Sequence, residues 1–235
     1  MKQRKNIFYY IILSIVAAVL LLILIFLSPL NTTTIVMYDK IFVGGVFIAS
    51  CIFGISLAFY PRWFRKLNKH ATHNLNSEKS KKITRKYKGH HPNCDNFQNH
   101  TIETKNKTLC AGCLGLSIGS IMSIVLTIIY IYITREEKVA TGFYYVVFLG
   151  LIIIGLACVE IILPIRNAVV HVISNIFLVL SFFLVTISIF EITGNKTYGI
   201  LSIIISFLFL DTRIQLSNWQ HARICESCSE TCKVY

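Results

Sequence analysis

Residues 90–119 read HHPNCDNFQNHTIETKNKTLCAGCLGLSIG, and this stretch ties a cluster of soft metal ligands to the start of an apolar helix. It holds His91, Cys94, His100, Cys110 and Cys113, and it runs without a break into LSIGSIMSIVLTIIYIYI. Thiolate and imidazole are the ligands of a tetrahedral zinc site, and pairs separated by two residues let both side chains of a tight turn face one ion. His91, Cys94, Cys110 and Cys113 form the preferred set, with His100 as a substitute or a supporting group. The glycines at 112 and 115 suit a turn in which backbone amides approach the sulfurs.

Outward from this stretch the chain is apolar. Of its 235 residues 54% are hydrophobic and 14% charged, a balance that excludes an ordinary soluble globule and fits several membrane spans of about 20 residues each. Six such runs are expected, at 7–30, 41–60, 111–133, 143–164, 168–192 and 197–216. The first is too long for the core of a cleaved leader, which runs to about 15 residues, and is expected to stay as a span. In the second, Ser50, Gly54 and Ala58 repeat at intervals of four, with Gly45 and Ala49 nearby, a small-residue stripe that invites a neighbouring helix. In the third, Gly112, Gly115, Gly119 and Ser123 do the same, so this helix is predicted inside the bundle.

The sequence therefore predicts an all-α integral membrane protein of about six transmembrane helices carrying a small cytoplasmic Cys/His subdomain. Its segments are two helices in 1–60, a basic loop with the Cys/His knuckle in 61–110, four helices in 111–216 and a Cys-rich tail in 217–235. The net charge of +12 sits in few places. Apart from Lys40, Arg135, Lys138 and Lys196, every Lys and Arg lies on the amino terminus, the long loop, the Arg166 turn or the tail end. By the positive-inside rule both termini and the loop are expected in the cytoplasm of a multi-pass cell-membrane protein. Arg62, Trp63, Phe64 and Arg65 open the loop as an anchor for anionic lipid headgroups. Few aromatics accompany the basic residues 79–88, which argues against nucleic acid as a partner.

In the tail, His221, Cys225, Cys228 and Cys232 make a second candidate set. A reducing compartment disfavours disulfides between these cysteines and favours metal. Zinc is the expected occupant because histidine is present at both clusters, with an iron–sulfur cluster as the alternative. Spacing leaves open whether the clusters hold two ions or pool their ligands. Cys51 and Cys158 stand inside spans and read as packing residues. Glu160, His171, Asp211, Arg213 and Gln215 form an intramembrane polar cluster, since ionisable groups at that depth need partners or water. A Glu160 to His171 contact and a partner for Asp211 on another helix would satisfy them, either as a structural network or as a site for protons, ions or a headgroup.

At Cys110-Ala-Gly-Cys113-Leu-Gly115-Leu-Ser-Ile-Gly119 the chain resembles a family of uncharacterised prokaryotic multi-pass membrane proteins, in which an upstream Cys/His motif precedes a Cys-x-x-Cys-x-Gly that opens a transmembrane helix. Asp211-x3-Gln215 is similar to a late-helix element of that family. His-His-Pro-Asn-Cys stands where many members have Cys-His and basic residues, and Thr212 where they have Gly. The resemblance implies membrane location and metal binding, and no activity. The residues themselves support a membrane protein with a structural zinc site and a possible cytoplasmic protein partner. A redox protein with a dithiol or iron–sulfur centre, or a transporter using the polar cluster, are the other classes. No nucleophile motif marks an enzyme.

Overall fold

The structure is a computed structural model that describes residues 2–27, 35–59, 87–88, 91–92, 100–104, 107–133, 140–163 and 167–226. Six long helices dominate it: α1 (Lys2–Leu27), α2 (Met37–Phe59), α3 (Ala111–Ile133), α4 (Ala140–Ile162), α5 (Ala168–Thr193) and α6 (Lys196–Glu226). All six contain segments long and apolar enough to cross a membrane, as the sequence predicts. Two short antiparallel pairs lie between α2 and α3: β1 (Tyr87–Lys88) with β2 (His91–Pro92), and β3 (Thr101–Thr104) with β4 (Lys107–Cys110).

Helix α5 is the axis of the bundle. It packs along α3 on one side and α4 on the other, and α6 leans on it. Its sequence explains the place: Ser181, Thr186, Ser188 and Thr193 are buried with Leu178, Val185, Ile189 and Phe190. Hydroxyls tolerate burial in a helix by donating to the preceding turn, as Ser181 does to Leu178 O (2.6 Å) and Thr193 to Ile189 O (2.7 Å). Asn167 caps the start of α5 through a bond from Val169 N, and Gly194 ends it at φ 61°, a left-handed conformation that glycine adopts freely. The outer faces of α1 to α4 expose Phe8, Ile15, Leu27, Ile52, Ile121, Leu149 and Leu156, a surface suited to hydrocarbon rather than water.

The glycine face of α3 meets α5. A Cβ on Gly115 would lie 2.7 Å from Asn175 Cβ, and one on Gly119 3.0 Å from the Ile176 backbone, so only glycine allows this approach. The stripe in α2 behaves otherwise. Gly45 and Gly54 have nothing within 4 Å of a built Cβ, and the close contact falls instead at Gly44, against Thr127 and Ile131 of α3. Ser50, Gly54 and Ala58 line a cavity, not a helix interface.

Two departures from expectation concern the ends. Residues 101–104 and 107–110, read as part of a basic loop with a Cys/His knuckle, pair as antiparallel strands; Thr101, Ile102, Thr104 and Thr108 are β-branched, which favours a pleated ladder. Helix α6 passes the expected limit at 216 and continues to Glu226, because QLSNWQHARICE contains neither Pro nor Gly to stop it. At 31 residues it is about 46 Å long, well beyond the roughly 30 Å hydrocarbon thickness. Trp219 and Arg223 stack on this extension with the guanidinium 4.9 Å from the ring, a pairing suited to an interface. A folded Cys/His subdomain is not seen among the described residues, where only the two hairpins occupy the long loop.

Candidate functional site

One end of the bundle collects nearly all the chemistry. It lies at the starts of α3 and α5 and the ends of α4 and α6, while Ser14, midway along α1, bonds Thr212, near the middle of α6, at 2.6 Å. There the β3–β4 register sets Thr101 opposite Cys110, which carries His100 back beside the cysteine ten residues later in sequence. Cys110 closes β4 and Cys113 lies in the first turn of α3, and the two thiols lie side by side. The His100 ring stacks on His171 of α5 (centroids 4.8 Å) and meets the His221 ring of α6 edge-on (5.3 Å). Candidates from both predicted metal clusters, His100 and His221, thus come together.

Beneath them lies a buried ion network. Arg213 reaches across from α6: Nη2 lies 3.1 Å from Glu160 Oε2 on α4 and 3.2 Å from Ser174 Oγ, Nε donates to Ala157 O at 3.3 Å, and Nη1 donates to Asn175 Oδ1. Both charged side chains are 9% exposed. The carboxylate is shared, since Glu160 Oε1 stands 2.5 Å from His171 Nδ1, a contact of proximity that lacks linear hydrogen-bond geometry. Asn175 Nδ2 in turn donates to His171 O at 2.6 Å. One guanidinium therefore joins α4, α5 and α6, and the pair Glu160–Arg213 carries no net charge.

The Glu160 to His171 contact is the one the sequence suggested. Asp211 differs: Gln215 of its own helix donates to it at 3.4 Å, rather than a group on another helix, because both lie on a face turned from Glu160. Sequence reasoning missed Ser174 and Asn175, although Asn175 follows His171 by one helical turn and an asparagine inside a span is itself a signal. It also passed over the opposite end of the bundle. There Tyr130 OH bonds Glu191, Lys40 Nζ lies 3.8 Å from the same carboxylate, and Lys196 pairs with Asp39 at 3.1 Å.

Two cavities adjoin the network. The larger, about 330 Å³, runs between α2, α3, α5 and α6 and is walled mainly by apolar groups such as Phe47, Leu116, Phe182 and Phe207. The smaller, about 150 Å³, is lined by His100, His171, Gln220 and Ile224 among others. Cys110, Gly112, Asn175, Arg213, Ser217 and His221 border both. Three side-chain atoms near the smaller chamber are fully buried without a hydrogen bond among the described residues: His171 Nε2, Gln220 Oε1 and, despite its imidazole neighbour, Glu160 Oε1.

Several predicted ligands cannot be placed. Cys94, Cys228 and Cys232 lie outside the described residues, as does the basic segment 61–86; His91 and Cys225 are described only as backbone of β2 and α6. Among the described residues no three His, Cys, Asp or Glu side chains stand together as ligands for one ion. Cys51 is buried in the wall of the larger cavity. Comparison with protein-family models, with curated proteins and with solved structures found no match to this chain.

Proposed function

We propose that this chain is a multi-pass membrane protein whose cytoplasmic face carries a structural zinc site centred on Cys110 and Cys113. The observation that supports it most is the pairing of Cys110 and Cys113 at the β4–α3 junction, at the end of the bundle where His100 and His221 meet. Two thiols in contact are half of a closed four-ligand site, and the remaining donors would come from His91, Cys94, His100, His221 or the tail cysteines Cys225, Cys228 and Cys232. Bound zinc would fix the long loop and the tail onto the helix ends, and its binding energy would be folding energy for that face. The basic loop then rests on anionic headgroups of the inner leaflet, available to a cytoplasmic protein partner.

Elemental analysis and a visible spectrum of detergent-purified protein, prepared without added metal and without oxygen, test this. Zinc in whole-number ratio to the chain with no visible band is the expected result, lost in Cys110→Ser and Cys113→Ser. Iron with acid-labile sulfide and a broad visible band would replace zinc by an iron–sulfur centre. The contact between the two thiols also favours a dithiol reading. In that case metal would be absent, and mild oxidation would link Cys110 to Cys113 reversibly.

A further inference from the structure

We infer that the larger cavity, with the chamber above it, binds a single-chain membrane amphiphile whose head is uncharged and bears hydroxyl groups, a monoacylglycerol-like lipid. The inference goes beyond the zinc reading and needs no metal.

The chain half follows from position and lining. The space of about 330 Å³ sits among helices apolar enough to cross a membrane, and its deep wall is Phe47, Val179, Phe182, Ile203 and Phe207. Small residues make the room: Ser50, Gly54 and Ala58 line it at successive turns of α2, where a larger side chain would fill it. Apolar cavities stay dry, and an unfilled one forfeits the dispersion contacts of its whole lining. Bilayer hydrocarbon is the apolar matter at hand. The volume falls at the low end of the roughly 300–1,000 Å³ of small-molecule pockets, which suits one chain rather than two.

The head half follows from the atoms at the polar end. The two spaces share Asn175, Arg213, Ser217 and His221, so a chain in the lower one delivers its head to the upper one. Arg213 is already balanced by Glu160, and a charged head would enter a neutral, buried setting without a counter-ion. What the chamber offers is unmatched polar atoms. Gln220 Oε1 is buried without a partner among the described residues, and so is His171 Nε2. A hydroxyl both donates and accepts, so it can match an amide oxygen and either form of a ring nitrogen. Two buried polar atoms call for two hydroxyls, and adjacent hydroxyls on a glycerol head supply them. Leaving such groups unmatched is what lets a polar site reject a ligand that lacks them.

Native mass spectrometry of the full-length protein in detergent, titrated with monoolein, methyl oleate and oleate, tests the assignment. The three share a chain and differ in head: two hydroxyls, none, or a negative charge. Monoolein is expected to bind one per chain at least tenfold more tightly than the others. Gly54→Leu fills the cavity where a Cβ meets nothing within 4 Å, so it should keep the wild-type melting temperature and weaken monoolein at least tenfold. Should that variant misfold, Gln220→Leu serves instead and should erase the preference for monoolein over methyl oleate. Equal affinities, a preference for oleate, or unchanged binding in the folded variants would overturn the proposal. Metal content, measured separately, does not bear on it.

Discussion

Arg213 is the side chain on which the most structure depends. It is 7% exposed and satisfies acceptors on two other helices, so its loss would strand the Glu160 carboxylate in a buried setting. Removing one partner of a buried pair costs about 3–5 kcal/mol, whereas removing both together is often far milder. Arg213→Leu is therefore expected to lower thermal stability in detergent strongly, and Arg213→Leu with Glu160→Leu to recover much of the loss. A double variant as unstable as the single would show that the guanidinium is held for something other than that carboxylate. Thr212 makes a smaller contribution of the same kind: it is 2% exposed, donates to Leu208 O at 3.0 Å and touches Ser14 across the α1–α6 contact. Thr212→Val should cost about 1 kcal/mol, the usual net worth of a hydrogen bond, measured as a fall in melting temperature.

At the scale of elements, the α3–α5 crossing positions the site. Gly115 sits one turn after Ala111 and fixes how close α3 comes to Val172 and Asn175 on α5. Adding a single methyl as Gly115→Ala forces that crossing apart and should destabilise by about 1–3 kcal/mol, the range for overpacking. The control is Gly45→Ala, where the added methyl meets nothing and stability should not fall. Thermal unfolding of the two variants side by side checks both. This contrast also marks how far the pattern of small residues could be read. Both α2 and α3 carry such stripes, yet one packs a helix and the other borders a cavity, because a stripe states only that space exists on that face. What fills the space depends on where the neighbouring helix axes run. The extension of α6 is the second such case: the polar composition of residues 217–226 suggested a tail, while unbroken helical hydrogen bonding carries it on to hold His221 over the chamber.

For the whole molecule, the arrangement of charge makes a prediction about orientation. Glu137 falls in sequence between α3 and α4, and the six-span reading with its charge bias expects it on the side opposite the basic loop. A cysteine placed there (Glu137→Cys) should react with a membrane-impermeant thiol reagent in intact cells, and one at Lys5→Cys only after the cells are opened. The reverse pattern would put the Cys/His face outside and remove the reducing-compartment case for metal. The two ends of the bundle are otherwise built alike, each with a carboxylate shared by a cation and a neighbour: buried Glu160 with Arg213 and His171, half-buried Glu191 with Lys40 and Tyr130. Only the first has cavities beside it among those described, so the second is a fastening between α2, α3 and α5.

The sequence by itself determined that the chain forms six apolar helices and approximately where each begins. Those are properties of hydrophobic run length, glycine spacing and residue type, all local in the chain. Tertiary structure alone decided that His100 and His221, separated by 121 positions, meet edge to edge, that Asn175 and Ser174 complete the shell of Arg213, and that a cavity opens where α2 stands off from α6. Those depend on helix crossings and strand register. They are set by the packing of side chains distant in sequence, which no local pattern encodes.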